Sequence, residues 1–184
     1  MIEKVSSAID PELGTDISTW VRETVDELID PKELLRLNMP TEAYAGRLFE
    51  ETAFRYLSLH LKNTQELFNP EQTFEVYRRL YPEARVMGYT TGRFSLSGIS
   101  VPDGLLFDRR TMMRSGEAAL VVVYEYTMRN QPIMRQSAYF QKKLHGFKVG
   151  RNQHPEVFMG ANLRFAVPKD TWIPKEIRRD AKIT

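Results

Sequence analysis

"GISVPDGLLFD", residues 98–108, and "AALVVVYEYT", residues 118–127, decide how this chain is read. Both are rich in β-branched and aromatic residues and are bounded by Gly, Pro and Ser, the pattern of strands. The connection between them, "DRRTMMRSGE", is polar and ends on a Ser-Gly turn signal, so the second strand returns antiparallel to the first. That second strand is apolar on both faces until Glu125, as a strand covered on both sides must be. Residues two apart on a strand share a face, which sets Glu125 and Thr127 beside Val121 and Val123. If the two strands pair, Asp103 and Glu125 approach each other where the apolar surface ends. Taken singly, a Pro-Asp-Gly triplet is a turn signal, and Glu125 marks a buried strand emerging into water.

Working outward, "RVMGYTT" adds a strand near residues 84–90, and "NLRFAVP" one near 162–168. "EAYAGRLFEETAFRYLSLHLKN", residues 42–63, has helical spacing with Thr41 as its cap. With Phe49 at zero, Arg47, Glu51, Arg55, Ser58 and Lys62 fall between roughly 160° and 240°, the water face. Glu50 falls near 100°, on the rim of the apolar stripe, where a carboxylate needs a partner to stay charged. "NPEQTFEVYRRLYPEA" is a helix between proline-marked ends. "NQPIMRQSAYFQKKLHG" is another, over 132–145, with Pro132 in its first turn, Ile133, Gln136, Phe140 and Leu144 on one stripe, and Gly146 as its stop. Upstream, "DISTWVRETVDELID" (16–30) and "KELLRLN" form an N-terminal helical extension, residues 1–40. The expected core is 41–170, and 171–184 is read as a basic tail containing "KEIRRDAK".

The totals agree with one α/β domain. The chain has 184 residues, 42% hydrophobic and 27% charged, near the average for globular proteins. Its longest apolar run, "AALVVVY", is far too short to span a bilayer, and the acidic N-terminus is unlike a signal peptide, so a cytoplasmic protein with no membrane association is expected. No cysteine is present, which removes thiolate metal sites and cysteine nucleophiles. Three histidines, His60, His145 and His154, show no spacing suited to zinc. A net charge of +2 permits a nucleic-acid partner without requiring one.

Glu50, Asp103 and Glu125 would together place three oxygen ligands around one hole, a donor set suited to Mg²⁺ or Mn²⁺ and to phosphoryl chemistry. "GRLFE" with Glu50, "VPD" with Asp103, "YEYT" with Glu125, and the helix with "RQSAYFQKK" resemble the PD-(D/E)XK, restriction-endonuclease-like nuclease superfamily. The resemblance implies an αβββαβ core, a mixed four-stranded sheet flanked by helices. It implies Mg²⁺- or Mn²⁺-dependent phosphodiester hydrolysis on DNA, ahead of RNA, with Glu50, Asp103 and Glu125 holding the metal. The chain departs from the pattern at Thr127, where the family carries a lysine. The resemblance then looks to the following helix for the cation: Arg135, Lys142 and Lys143 are the candidates, also for binding substrate, with Gln136 matching a glutamine that faces the site. The alternative is a catalytically inactive nuclease-like module that binds nucleic acid or protein within a larger assembly, with the N-terminal helices as a protein-binding surface. A homodimer is compatible with either.

Overall fold

A computed structural model describes residues 41–88, 94–113, 116–127, 133–167 and 171–183. The N-terminal extension read from the sequence lies outside the described residues.

The described chain runs α1 (Thr41–Leu59), β1 (Gln65–Phe68), α2 (Pro70–Leu80), β2 (Val86–Gly88), β3 (Phe94–Leu96), β4 (Gly104–Met112), β5 (Ala118–Tyr126), α3 (Ile133–Gln153), α4 (Pro155–Phe158), β6 (Asn162–Ala166), α5 (Lys175–Asp180) and β7 (Lys182–Ile183). Five strands form a mixed sheet in the order β1-β4-β5-β6-β7. β4 runs antiparallel to both of its neighbours, β1 and β5, and β6 runs parallel to β5. These four strands flanked by helices are the expected α/β arrangement; the two-residue β7 extends it, parallel to β6.

The first strand is not the expected one. Residues 86–88 pair only with 94–96, in a separate two-stranded sheet. Val86, Met87 and Gly88 are all exposed, so the apolar side chains of this segment are not buried in the main sheet. The place beside β4 goes to "QELF", in register Leu67↔Leu106. Four residues without a β-branched side chain carry little strand signal, and β1 owes its conformation to its neighbour. The helix before it ends at Leu59 instead of reaching residue 63; the Gln65 N–H donates to the Lys62 carbonyl at 2.8 Å, turning the chain into β1. α2 matches its sequence signals. Asn69 caps it in a reciprocal box with Gln72, and Pro70 opens its first turn.

β4 runs on to Met112 through residues expected in a polar connection, and its pairing with β5 shifts between Leu106 and Phe107, opposite Val122 and Leu120. Val121 is thus the extra residue of a bulge, and Leu120 takes the place beside Val123 that simple alternation gave to Val121. One face of the sheet carries Leu105, Leu120, Val123, Leu163 and Phe165, packed by Tyr77 of α2, Phe140 and Leu144 of α3 and Phe158 of α4. The other carries Leu67, Leu106, Val122, Tyr124 and Tyr126 beneath Phe49 of α1.

Two expectations fail in the C-terminal half. α3 does not stop at Gly146 but continues to Gln153, so His145 lies within the helix and not at its end. A glycine inside a helix costs only about 1 kcal/mol, and here the strand-side loop demands it: a β-carbon on Gly146 would lie 2.6 Å from Ser100 Cβ. In the segment read as a basic tail, residues 171–183 are not loose. Ile173, Ile177 and Ala181 are buried in the main core, and β7 pairs with β6. Ile177→Ala is expected to lower stability by about 2–5 kcal/mol, the cost of emptying a buried isoleucine site, measured by urea unfolding. A loss below ~0.5 kcal/mol would mean that the segment is peripheral. Among the described residues no helix is long and apolar enough to cross a membrane.

Candidate active site

The end of the β4–β5 ladder places the site. Gly104 pairs with Tyr124, so the next position outward sets Asp103 opposite Glu125. Backbone bonds secure it: the Asp103 N–H donates to the Tyr124 carbonyl at 3.1 Å, and the Tyr126 N–H donates to Asp103 Oδ2 at 2.9 Å. Asp103 is therefore built into the sheet edge and is more than a solvated turn residue. The glycine after it has a steric reason. A β-carbon at residue 104 would lie 2.9 Å from the Tyr126 hydroxyl and 3.3 Å from the Phe68 carbonyl oxygen.

Glu125 lies on the face covered by α3, and there it meets Lys143. Lys143 Nζ is 2.7 Å from Glu125 Oε2, with the lysine side chain only 16% exposed and the glutamate 3%. The ammonium also lies 5.8 Å from the centre of the Tyr139 ring, within cation–π range. Burial pushes Glu125 up to about 8; Lys143 pulls against it, and the like charge of Asp103 adds to it. For Lys143, burial works against the charged form, but Glu125, Asp103 and Tyr139 outweigh it and hold the ammonium above the ordinary lysine range. Two carboxylates and one ammonium thus share a nearly dry corner of the sheet.

Two tyrosines border this corner from opposite faces, and neither was singled out as a site residue from the sequence. Tyr77 is raised by its burial and then by Glu125, and Tyr126 by burial, then Tyr124, Asp103 and Glu125. The buried Tyr126 hydroxyl has no hydrogen-bond partner among the described residues. Tyr126 had a signal, since it follows Glu125 directly. Tyr77 had none, because only the packing of α2 brings it there.

The other predicted residues divide. Thr127 is buried, and its N–H donates to the Ala166 carbonyl at 3.1 Å, prolonging the β5–β6 ladder. It supplies no cation; Lys143 does. Gln136 is buried on α3, but its amide nitrogen donates to the Trp172 carbonyl at 2.8 Å, tying the helix to the segment before α5. Arg135 and Lys142 are exposed on α3, a helix whose 21 residues include five Lys and Arg and no acid. Glu50 stands on α1, the helix covering the opposite face of the sheet. Among the described residues no group of three or more His, Asp or Glu side chains gathers in a way that could hold a metal ion, so the expected three-carboxylate cluster is not formed.

A donor pair remains. Mg²⁺ commonly takes one or two protein carboxylates and completes its shell with water and substrate phosphate. Asp103 and Glu125, adjacent across two strands, with Asp103 disfavouring charge on Glu125, fit that pattern without a third protein ligand. No protein-family model matches this chain, and no curated protein or solved structure matches it either.

Proposed function

We propose that the chain is a nuclease-like protein of PD-(D/E)XK type that hydrolyses phosphodiester bonds in DNA or RNA with Mg²⁺ or Mn²⁺. The observation that carries this reading is the Lys143 ammonium 2.7 Å from Glu125, on a carboxylate pair formed by Asp103 and Glu125 at the end of two paired strands. Lys143 then takes the role that residue 127 cannot.

In this reading Asp103 and Glu125 would hold the divalent cation, which when bound supplies Lewis acidity to the scissile phosphate and acidifies a water. The chain's own contribution is preorganisation. Asp103 is pinned by two backbone hydrogen bonds, so its carboxylate needs no reordering on binding. The Lys143 ammonium, kept charged by its neighbours, can orient the attacking water and stabilise negative charge developing on phosphate oxygens. Burial keeps competing water away from the Glu125 side and strengthens each of these interactions. The acid-free cationic surface of α3, with Arg135 and Lys142 exposed, suits a polyanionic substrate.

Cleavage of single- and double-stranded DNA and RNA with Mg²⁺ or Mn²⁺ tests the proposal, with Asp103→Asn as the control. The variant is expected to lose about 10²-fold or more of the rate, as when one preorganised polar group is removed from an active site. Undiminished cleavage by Asp103→Asn would refute the assignment. A second reading, a binding module without catalysis, draws on the absence, among the described residues, of a three-carboxylate cluster. It predicts nucleic-acid binding unchanged in Asp103→Asn and no cleavage by either protein.

A further inference from the structure

The loop that delivers Asp103 makes a close approach to α3 at Gly146. Residues 97–103 lead from β3 to β4: Gly98 turns with φ 75°, Ile99 bridges back to Leu96, Val101 packs against the main core, and Pro102 is buried. Between Ile99 and Val101, Ser100 lies on Gly146 so closely that a β-carbon at residue 146 would sit 2.6 Å from Ser100 Cβ and 3.2 Å from its Oγ, while Ser100 Cα is 3.9 Å away. The 2.6 Å approach is to an atom fixed to the backbone, so a side chain at 146 could be admitted only by moving the loop.

The two ends of this contact lead to the two ends of the site. Ser100 is three residues before Asp103, with the fixed φ of Pro102 between them. Gly146 is three residues after Lys143, on the neighbouring turn of the helix and the same side of it. Lys143 meets Glu125, and Glu125 faces Asp103 across the strands. The contact and the ion pair are therefore two fastenings between the same loop-and-sheet edge and the same stretch of α3.

We propose that Gly146 is a positioning residue: by having no side chain it lets Ser100 seat directly on α3, and this seat sets the spacing of Asp103 from Lys143. The inference rests on the nuclease-like reading for its functional meaning, but its geometry stands apart from catalysis. A glycine fits at this place inside the helix because the loop occupies the β-carbon position.

The test reads Lys143 directly, by reductive methylation of the intact protein with formaldehyde and borohydride, followed by peptide mass spectrometry. Gly146→Ala is expected to raise the rate of Lys143 modification by about fivefold or more, as strain from overpacking opens the contact. Gly146→Ala combined with Ser100→Gly is expected to return that rate to the wild-type value, because the nearest loop atom is then the α-carbon at an ordinary contact distance of 3.9 Å. Gly150→Ala, on the same helix with no neighbour closer than 3.6 Å, controls for a general effect of alanine and should leave Lys143 unchanged. If Gly146→Ala does not fold, Ser100→Val, which enlarges the loop side of the contact, is read in its place with the same expectation. Unchanged Lys143 reactivity in the folded single variant, or failure of Ser100→Gly to restore it, overturns the proposal. Where the wild type cleaves nucleic acid, cleavage should fall and recover with the lysine signal. A wild type that cleaves nothing but shows the lysine response and rescue would refute the nuclease reading and leave the positioning role standing.

Discussion

Under the proposed nuclease function, Lys143→Ala is expected to reduce cleavage by about 10²- to 10⁴-fold, the range for losing a positioned charge or proton-transfer group. The effect should fall on kcat more than on KM, because in that reading the ammonium would act on charge that develops in the transition state. Thr127→Lys in the Lys143→Ala background makes this specific. Thr127 is two residues past Glu125 at the end of the same strand, buried and without charge. A lysine there would approach the carboxylate pair from the sheet in place of α3. Recovery of even about tenfold in the double variant, against a wild type measured under the same conditions, would show that the site requires a cation and not a particular helix. Full activity in Lys143→Ala alone would remove Lys143 from the chemistry.

The second large effect is on stability against pH, and its sign follows from Glu125. Its carboxyl goes from an ordinary value of 4.5 to about 8 on folding, mainly through burial. The native state therefore binds a proton more tightly than the unfolded chain. The stability from that proton is fully present below about 4.5 and is lost as pH rises to about 8. A single such group gives a slope of at most about 1.4 kcal/mol per pH unit across this window. Glu125→Gln cannot titrate, so its melting temperature should be flatter than the wild type's between those limits, the two curves diverging most near pH 8. Lys143, raised above the lysine range, contributes only at more alkaline pH and does not distort this window. Parallel curves for the two proteins would mean that Glu125 keeps an ordinary carboxyl in the folded state. Adding Mg²⁺ tests the donor pair in the same melts: a cation bound by Asp103 and Glu125 raises the melting temperature of the wild type and not that of Asp103→Asn.

Asp103, Glu125 and the buried β5 strand were legible because each is written in local pattern. A Pro-Asp-Gly break before an apolar run, and one acid at the end of a strand apolar on both faces, need no knowledge of partners. The α2 helix was legible for the same reason, through its capping box and opening proline. Lys143 was legible only as one of three candidates on a cationic helix. Helical phase puts it at the edge of the Gln136–Phe140 stripe, but which cation faces Glu125 depends on how the helix is rotated and docked.

What tertiary structure alone decided lies where local signals are weak or misleading. β1 is four ordinary residues made into a strand by the hydrogen bonds of β4, and β2, with better strand residues, pairs with β3 outside the main sheet and leaves Val86 and Met87 exposed. The bulge at Val121 moved Leu120 to the face of Val123, a change invisible to a period of two. Glu50 failed to join the carboxylates because its helix packs on the opposite face, and a helix's own periodicity says which residues turn inward but not which side of a sheet they turn toward. Gly146 read as a helix stop because glycine has the same local meaning whether a chain ends or another segment presses against it; only the approach of Ser100 tells the two apart. The sequence by itself determined an α/β chain with a carboxylate at the end of each of two neighbouring strands. The three-dimensional packing decided which cation completes them, since that choice is made by contacts between segments far apart in the chain.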